Sequence, residues 1–66
     1  MTEKLKAFCE HELWEVENRG YDAGGAVTRC YGAMMFVANE LLGGEEGEEL
    51  GKWWNDEMLP KFRKLY

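Results

Sequence analysis

One stretch of the chain decides the fold: residues 26–42, AVTRCYGAMMFVANELL. Only Arg29 and Glu40 carry charge within it. Projected at about 100° per residue, its apolar side chains cover an arc about 200° wide, whereas a surface helix needs one apolar stripe. A helix with so wide an apolar face must be contacted from two directions. The stretch therefore predicts the central helix of an all-α, three-helix domain.

Capping residues and glycines predict where the three helices begin and end. Helix 1 is expected to begin after Thr2 and to end near Gly20, where glycine adopts the left-handed conformation that terminates helices. Helix 2 is expected to begin after Asp22, a second N-cap residue, and to end at Gly43. Helix 3 then begins around Glu45, and one domain occupies residues 1–66.

Each predicted helix has an apolar face at helical spacing. On helix 1 it contains Leu5, Phe8, Cys9, Leu13 and Val16. On helix 2 it contains Ala26, Val27, Cys30, Tyr31, Ala33, Met34, Met35, Val37, Ala38, Leu41 and Leu42. On helix 3 it contains Leu50, Trp54, Met58, Phe62 and Leu65. Pro60 lies within that last face and has no N–H to donate, so a short fourth helical turn is predicted to restart near Leu59.

Size and charge narrow the classes of function. A chain of 66 residues with a net charge of −5 builds a small core and repels a phosphate backbone, which argues against direct nucleic-acid binding. The longest uncharged stretch, residues 30–39, is too short to cross a membrane, which takes about 20 apolar residues. No signal peptide is visible at the N-terminus, so a soluble cytoplasmic protein is expected.

Three large aromatic side chains fall outside the predicted apolar faces. Trp14 lies opposite the apolar face of helix 1, Trp53 departs from that of helix 3, and Phe36 lies between Arg29 and Glu40 on the polar side of helix 2. Aromatic anchors are enriched at protein interfaces. These five residues form the candidate interface. They predict self-association into a helical dimer and docking of a larger protein partner.

Glu12 is an unexpected residue on the apolar face of helix 1. A carboxylate there needs a partner, and Arg19 and Arg29 are the cations within reach of it. A structural ion pair is the first interpretation. A functional carboxylate is the second, and it requires a companion acid, base or metal that the sequence does not supply.

The residue types that bind metals or perform thiol chemistry are present at unfavourable spacing. Cys9 and His11 lie about 160° apart on a helix, and neither a C-x-x-C nor a His-x-x-x-His spacing occurs. Cys30 lies in the middle of an apolar face, where a thiolate is disfavoured. We expect no metal, no cofactor and no enzyme activity. Whether Cys9 and Cys30 pair as one disulfide stays open.

The sequence thus favours a non-catalytic interaction or assembly module that forms a homodimer. One alternative is an acidic inhibitor or decoy that uses its glutamates to occupy a nucleic-acid-binding protein. Salt separates these two hypotheses, because decoy binding weakens steeply with ionic strength and an aromatic interface does not. A small thiol- or metal-dependent enzyme is the third hypothesis, tested by metal analysis and thiol labelling.

Overall fold

A computed structural model describes residues 2–65 and is helical almost throughout. Helix α1 spans Thr2–Arg19, α2 Ala23–Phe36, α3 Gly44–Trp53 and α4 Leu59–Arg63. Two π-helical segments, Val37–Leu42 and Trp54–Met58, continue α2 and α3 without a break. We refer to α2 together with Val37–Leu42 as helix 2. Residues 2–65 contain no β-strand, and the predicted three-helix domain is confirmed. Within the same residues, no helix has both the length and the apolar character that a bilayer crossing requires.

The helix ends follow the predicted capping chemistry. The Asp22 side chain accepts a hydrogen bond of 2.7 Å from the backbone N–H of Gly25, which satisfies one of the free donors at the start of α2. Gly20 has a φ of 70° after α1, and Gly43 has a φ of 68° before α3. Both turns need the left-handed region, which glycine enters without steric cost.

The core lies between α2 and the two sets of helices on either side of it. Its buried members are Leu5, Cys9, Leu13, Ala26, Cys30, Met34, Val37, Ala38, Leu50, Trp54, Met58 and Phe62. Trp54, Met58 and Phe62 are the largest of the fully buried side chains. The rings of Trp54 and Phe62 lie 5.9 Å apart between centroids. The central position predicted for helix 2 is therefore the one that it occupies.

Several side chains that the sequence places in the core are exposed instead. This correction applies to Phe8, Tyr31, Met35, Leu41 and Leu65, of which Leu65 at 37 % is the least exposed. The buried arc of α2 is narrower than its apolar arc because its neighbours cover two sides of the helix. The third side faces water. Apolar character alone therefore overestimates the core.

One π-helical segment precedes the turn at Gly43, and the other precedes Pro60. The Gly43 N–H donates to the Ala38 carbonyl five residues back, at 2.8 Å, and the Leu59 N–H donates to the Trp54 carbonyl in the same way. Pro60 has no N–H and its ring crowds the preceding turn, which accounts for the widened helix before it. An α-helix begins at Leu59 with proline in its first turn, as predicted, but the helix before it does not stop, because the π-helical residues Trp54–Met58 join it to α3.

Gly47 permits a close approach between α3 and the end of helix 2. A Cβ added at Gly47 would lie 2.5 Å from the carbonyl oxygen of Ala38, a distance that real Cβ contacts do not show. Gly51, one turn further along α3, has no atom within 4 Å of the corresponding position. Gly47 is therefore fixed by packing, whereas Gly51 is not.

Candidate interaction surface

The side of helix 2 that faces water carries a row of four residues at helical spacing. Arg29, Gly32, Phe36 and Glu40 are all exposed, and we call this row the outer stripe. Phe36 is 57 % exposed, more than any other large apolar side chain in residues 2–65. No atom lies within 4 Å of the position that a Cβ would take at Gly32. The stripe thus combines one projecting aromatic ring with one exposed glycine that bears no side chain.

Two further apolar side chains border the outer stripe. Tyr31 is 48 % exposed, and its ring lies 6.4 Å from the buried ring of Trp54, so it extends the aromatic core to the surface. Met35 borders an open groove of about 390 Å³ between helix 2 and α3, which Asn39 and Gly47 also line. Together with Phe36, these side chains make the exposed side of helix 2 apolar at its centre.

Arg29 is held in place by Glu12, as the first interpretation of Glu12 predicts. Its Nε donates a hydrogen bond to Glu12 Oε1, which joins α2 to α1. The Glu12 side chain is only 12 % exposed, whereas that of Arg29 is 53 % exposed. The hydrogen bond to Glu12 raises the pKa of the Arg29 guanidinium, so its positive charge persists at all physiological pH values. The pair therefore fixes a cation at one end of the outer stripe.

Trp14 lies within a separate polar cluster on the outside of α1. Its ring stacks on His11 with 6.1 Å between centroids, and the Arg19 guanidinium lies 5.8 Å from its centre. Both of these neighbours also contact Glu15, His11 Nε2 at 3.0 Å and Arg19 Nε at 3.4 Å. Trp14 is 47 % exposed, as expected, but two residues of its own helix already lie against its ring.

Glu15 is the residue of this cluster that sequence reasoning missed. Its side chain is 11 % exposed although it is charged, and it lies two turns from Phe8 at the edge of the apolar face of α1. The available signal was the spacing, because His11 and Arg19 each stand four residues away and share a helix surface with it. The Arg19 guanidinium, 3.4 Å from Oε2, offsets part of the cost of burying the carboxylate, although this oxygen has no hydrogen-bond partner among the described residues.

The expectation that Trp53 is exposed is wrong. Trp53 is partly buried and packs against the core, and Lys6 Nζ lies 5.2 Å from the centre of its ring. This is cation–π geometry. Trp14, Phe36 and Trp53 therefore have three different surroundings, and the structure does not join them into one surface.

The two cysteines lie in the core as free thiols. Cys9 and Cys30 are each 0 % exposed and belong to the same cluster between α1 and α2. The hydrogen bond with Cys9, together with burial, raises the pKa of the Cys30 thiol. Within residues 2–65, no group of three or more His, Cys, Asp or Glu side chains is arranged to hold a metal ion. No protein-family model, curated protein or solved structure matches the chain.

Proposed function

We propose that this chain is a non-catalytic assembly module that forms a homodimer through the outer stripe of helix 2. The observation that carries the proposal is Phe36, a phenyl ring 57 % exposed at the centre of a helix face. Burial of apolar surface contributes a favourable free energy of about 25 cal/mol for each Å² that is removed from water. Aromatic side chains in this position are the usual anchors of protein interfaces.

The distribution of charge supports this location. The chain has a net charge of −5, so two copies repel each other over most of their surfaces. The outer stripe carries one positive residue, Arg29, and one negative residue, Glu40, and its net charge is zero. Like-charge repulsion therefore opposes association less at this stripe than at the acidic residues 45–49.

The dimensions of the face predict a weak dimer. Helix 2 contributes 14 α-helical and 6 π-helical residues, which makes a face roughly 30 Å long and about 10 Å wide. Such a face is smaller than the ~800 Å² per partner of a standard interface. We expect monomer and dimer to exchange across the micromolar range.

Sedimentation equilibrium at several micromolar concentrations tests the proposal. The apparent mass of the unmodified chain should rise from 7.7 kDa towards twice that value with concentration. Phe36→Ser should hold the mass at the monomer value. Trp14→Ser is the matched control, because it also removes a half-exposed aromatic ring but lies on α1.

Circular dichroism establishes first that both variants keep their helix content. A monomer mass for the unmodified chain at every concentration would contradict the proposal. Loss of the dimer in Trp14→Ser with retention in Phe36→Ser would also contradict it, because the interface would then lie on α1.

A further inference from the structure

We infer that the two copies pack antiparallel, with Arg29 of each copy beside Glu40 of the other and Phe36 of each copy over Gly32 of the other. This inference rests on the proposed homodimer and adds its geometry. It follows from the order of the four residues along the outer stripe and from the space at Gly32.

The charges select the direction of packing. Arg29 and Glu40 are eleven residues apart, about 16 Å along the helix. In a parallel pair, each of these residues faces the same residue of the other copy. Both ends of the interface then bring like charges together. In an antiparallel pair, a cation faces an anion at both ends. Only the second arrangement is electrostatically complementary.

The same alignment places the aromatic ring against the open space. When Arg29 faces Glu40, the two-fold axis passes between Met34 and Met35, and residue 36 of one copy lies beside residue 33 of the other. Gly32 is one residue from this level, about 1.5 Å along the axis, so Phe36 packs beside a position that bears no side chain. The contact occurs twice by symmetry, as an isologous interface requires.

The ion pair with Glu12 is compatible with this second contact of Arg29. The bond to Glu12 uses Nε, so the two terminal amino groups of the guanidinium remain for another acceptor. The side chain is already held at one position and is 53 % exposed. Its pairing with Glu40 of a second copy therefore loses less side-chain entropy than pairing by a free arginine.

Thiol crosslinking distinguishes the two directions. Met35 and Asn39 line the same groove on one flank of the outer stripe. In the antiparallel dimer, the two copies of residue 35 are about 1.5 Å apart along the axis, and the two copies of residue 39 about 13 Å apart. A short bismaleimide should therefore crosslink Met35→Cys and leave Asn39→Cys uncrosslinked. The native thiols are 0 % exposed and do not compete.

Efficient crosslinking of both variants would be incompatible with an antiparallel dimer whose axis lies between Met34 and Met35, and it would overturn the inference. Failure of Met35→Cys to crosslink, at concentrations where sedimentation finds this variant dimeric, would overturn it as well. If the unmodified chain sediments as a monomer throughout, the homodimer itself fails.

Gly32→Leu tests the space at Gly32 directly. Leucine is a better helix former than glycine and meets no atom of its own copy, so the monomer should melt at a higher temperature. The same side chain occupies the space for Phe36 of the other copy. Dimer affinity should fall by about tenfold or more. Unchanged affinity in Gly32→Leu would refute the contact.

Discussion

Replacement of Gly47 by alanine should destabilise the domain although alanine is the better helix former. The added Cβ would lie 2.5 Å from the Ala38 carbonyl oxygen, which is backbone and cannot rotate aside. Such overpacking costs about 1–3 kcal/mol. Replacement of a glycine by alanine inside a helix raises the free energy of unfolding by about 1 kcal/mol through helix propensity. The net loss in free energy of unfolding therefore ranges from near zero to ~2 kcal/mol.

Gly51→Ala is the matched control, because Gly51 lies one turn along the same helix and has open space around it. This variant should gain about 1 kcal/mol. The helix-propensity term is common to both substitutions, so the difference between the variants isolates the contact at about 1–3 kcal/mol. For a domain of this size, that difference separates the two melting temperatures by at least ~4 °C.

Thermal and urea denaturation followed by circular dichroism measure this difference, at a concentration below the onset of association. Equal stability of Gly47→Ala and Gly51→Ala would refute the reasoning, since it would mean that α3 does not approach the Ala38 carbonyl closely. Unequal stability with an unchanged urea m-value supports it, because an equal m-value indicates that both variants expose the same area on unfolding.

Three further outcomes are expected from single sites. Asp22→Ala should lower the free energy of unfolding by about 1 kcal/mol through loss of the N-cap, and Asp22→Asn should restore most of it, as urea denaturation will show. Arg29→Met should destabilise the monomer more than Glu12→Gln, because the first variant leaves a nearly buried carboxylate without its cation and the second leaves a neutral amide. Equal decreases in melting temperature would contradict this expectation. Labelling of Cys9 and Cys30 by a chromogenic disulfide reagent should be slow in buffer and fast in denaturant, and rapid labelling in buffer would show that the core opens locally.

The parts of the fold that local chemistry determines were predictable from the sequence. The capping preference of Asp22 and the left-handed conformation of Gly43 act within a few residues, so the helix ends followed from residue types alone. Pro60 lacks an N–H in any fold, so a change of helix geometry near Leu59 followed from that fact, although the π-helical connection to α3 did not. The width of the apolar arc also placed helix 2 between two neighbours.

The surface was less predictable, because it depends on which long side chains lie across which rings. Trp53 is covered by Lys6 from another helix, and no helical projection of one segment contains that contact. Phe8 lies on an apolar face and is 41 % exposed, because the neighbouring helices do not extend over it. The open space at Gly32 likewise became visible only with the packed helices. Of the five candidate interface residues, Arg29, Phe36 and Glu40 share one stripe.

The burial of Trp54, Met58 and Phe62 has a consequence for the order of events during synthesis. These large side chains fill the core, yet a ribosome adds them after both α1 and helix 2. At ~5–20 residues per second, elongation from residue 42 to residue 62 takes about one to four seconds, whereas isolated helices form in microseconds. During that interval, a nascent pair of helices presents an uncovered apolar cleft. The apolar surface of that cleft stays open to water until translation supplies the aromatic residues that cover it.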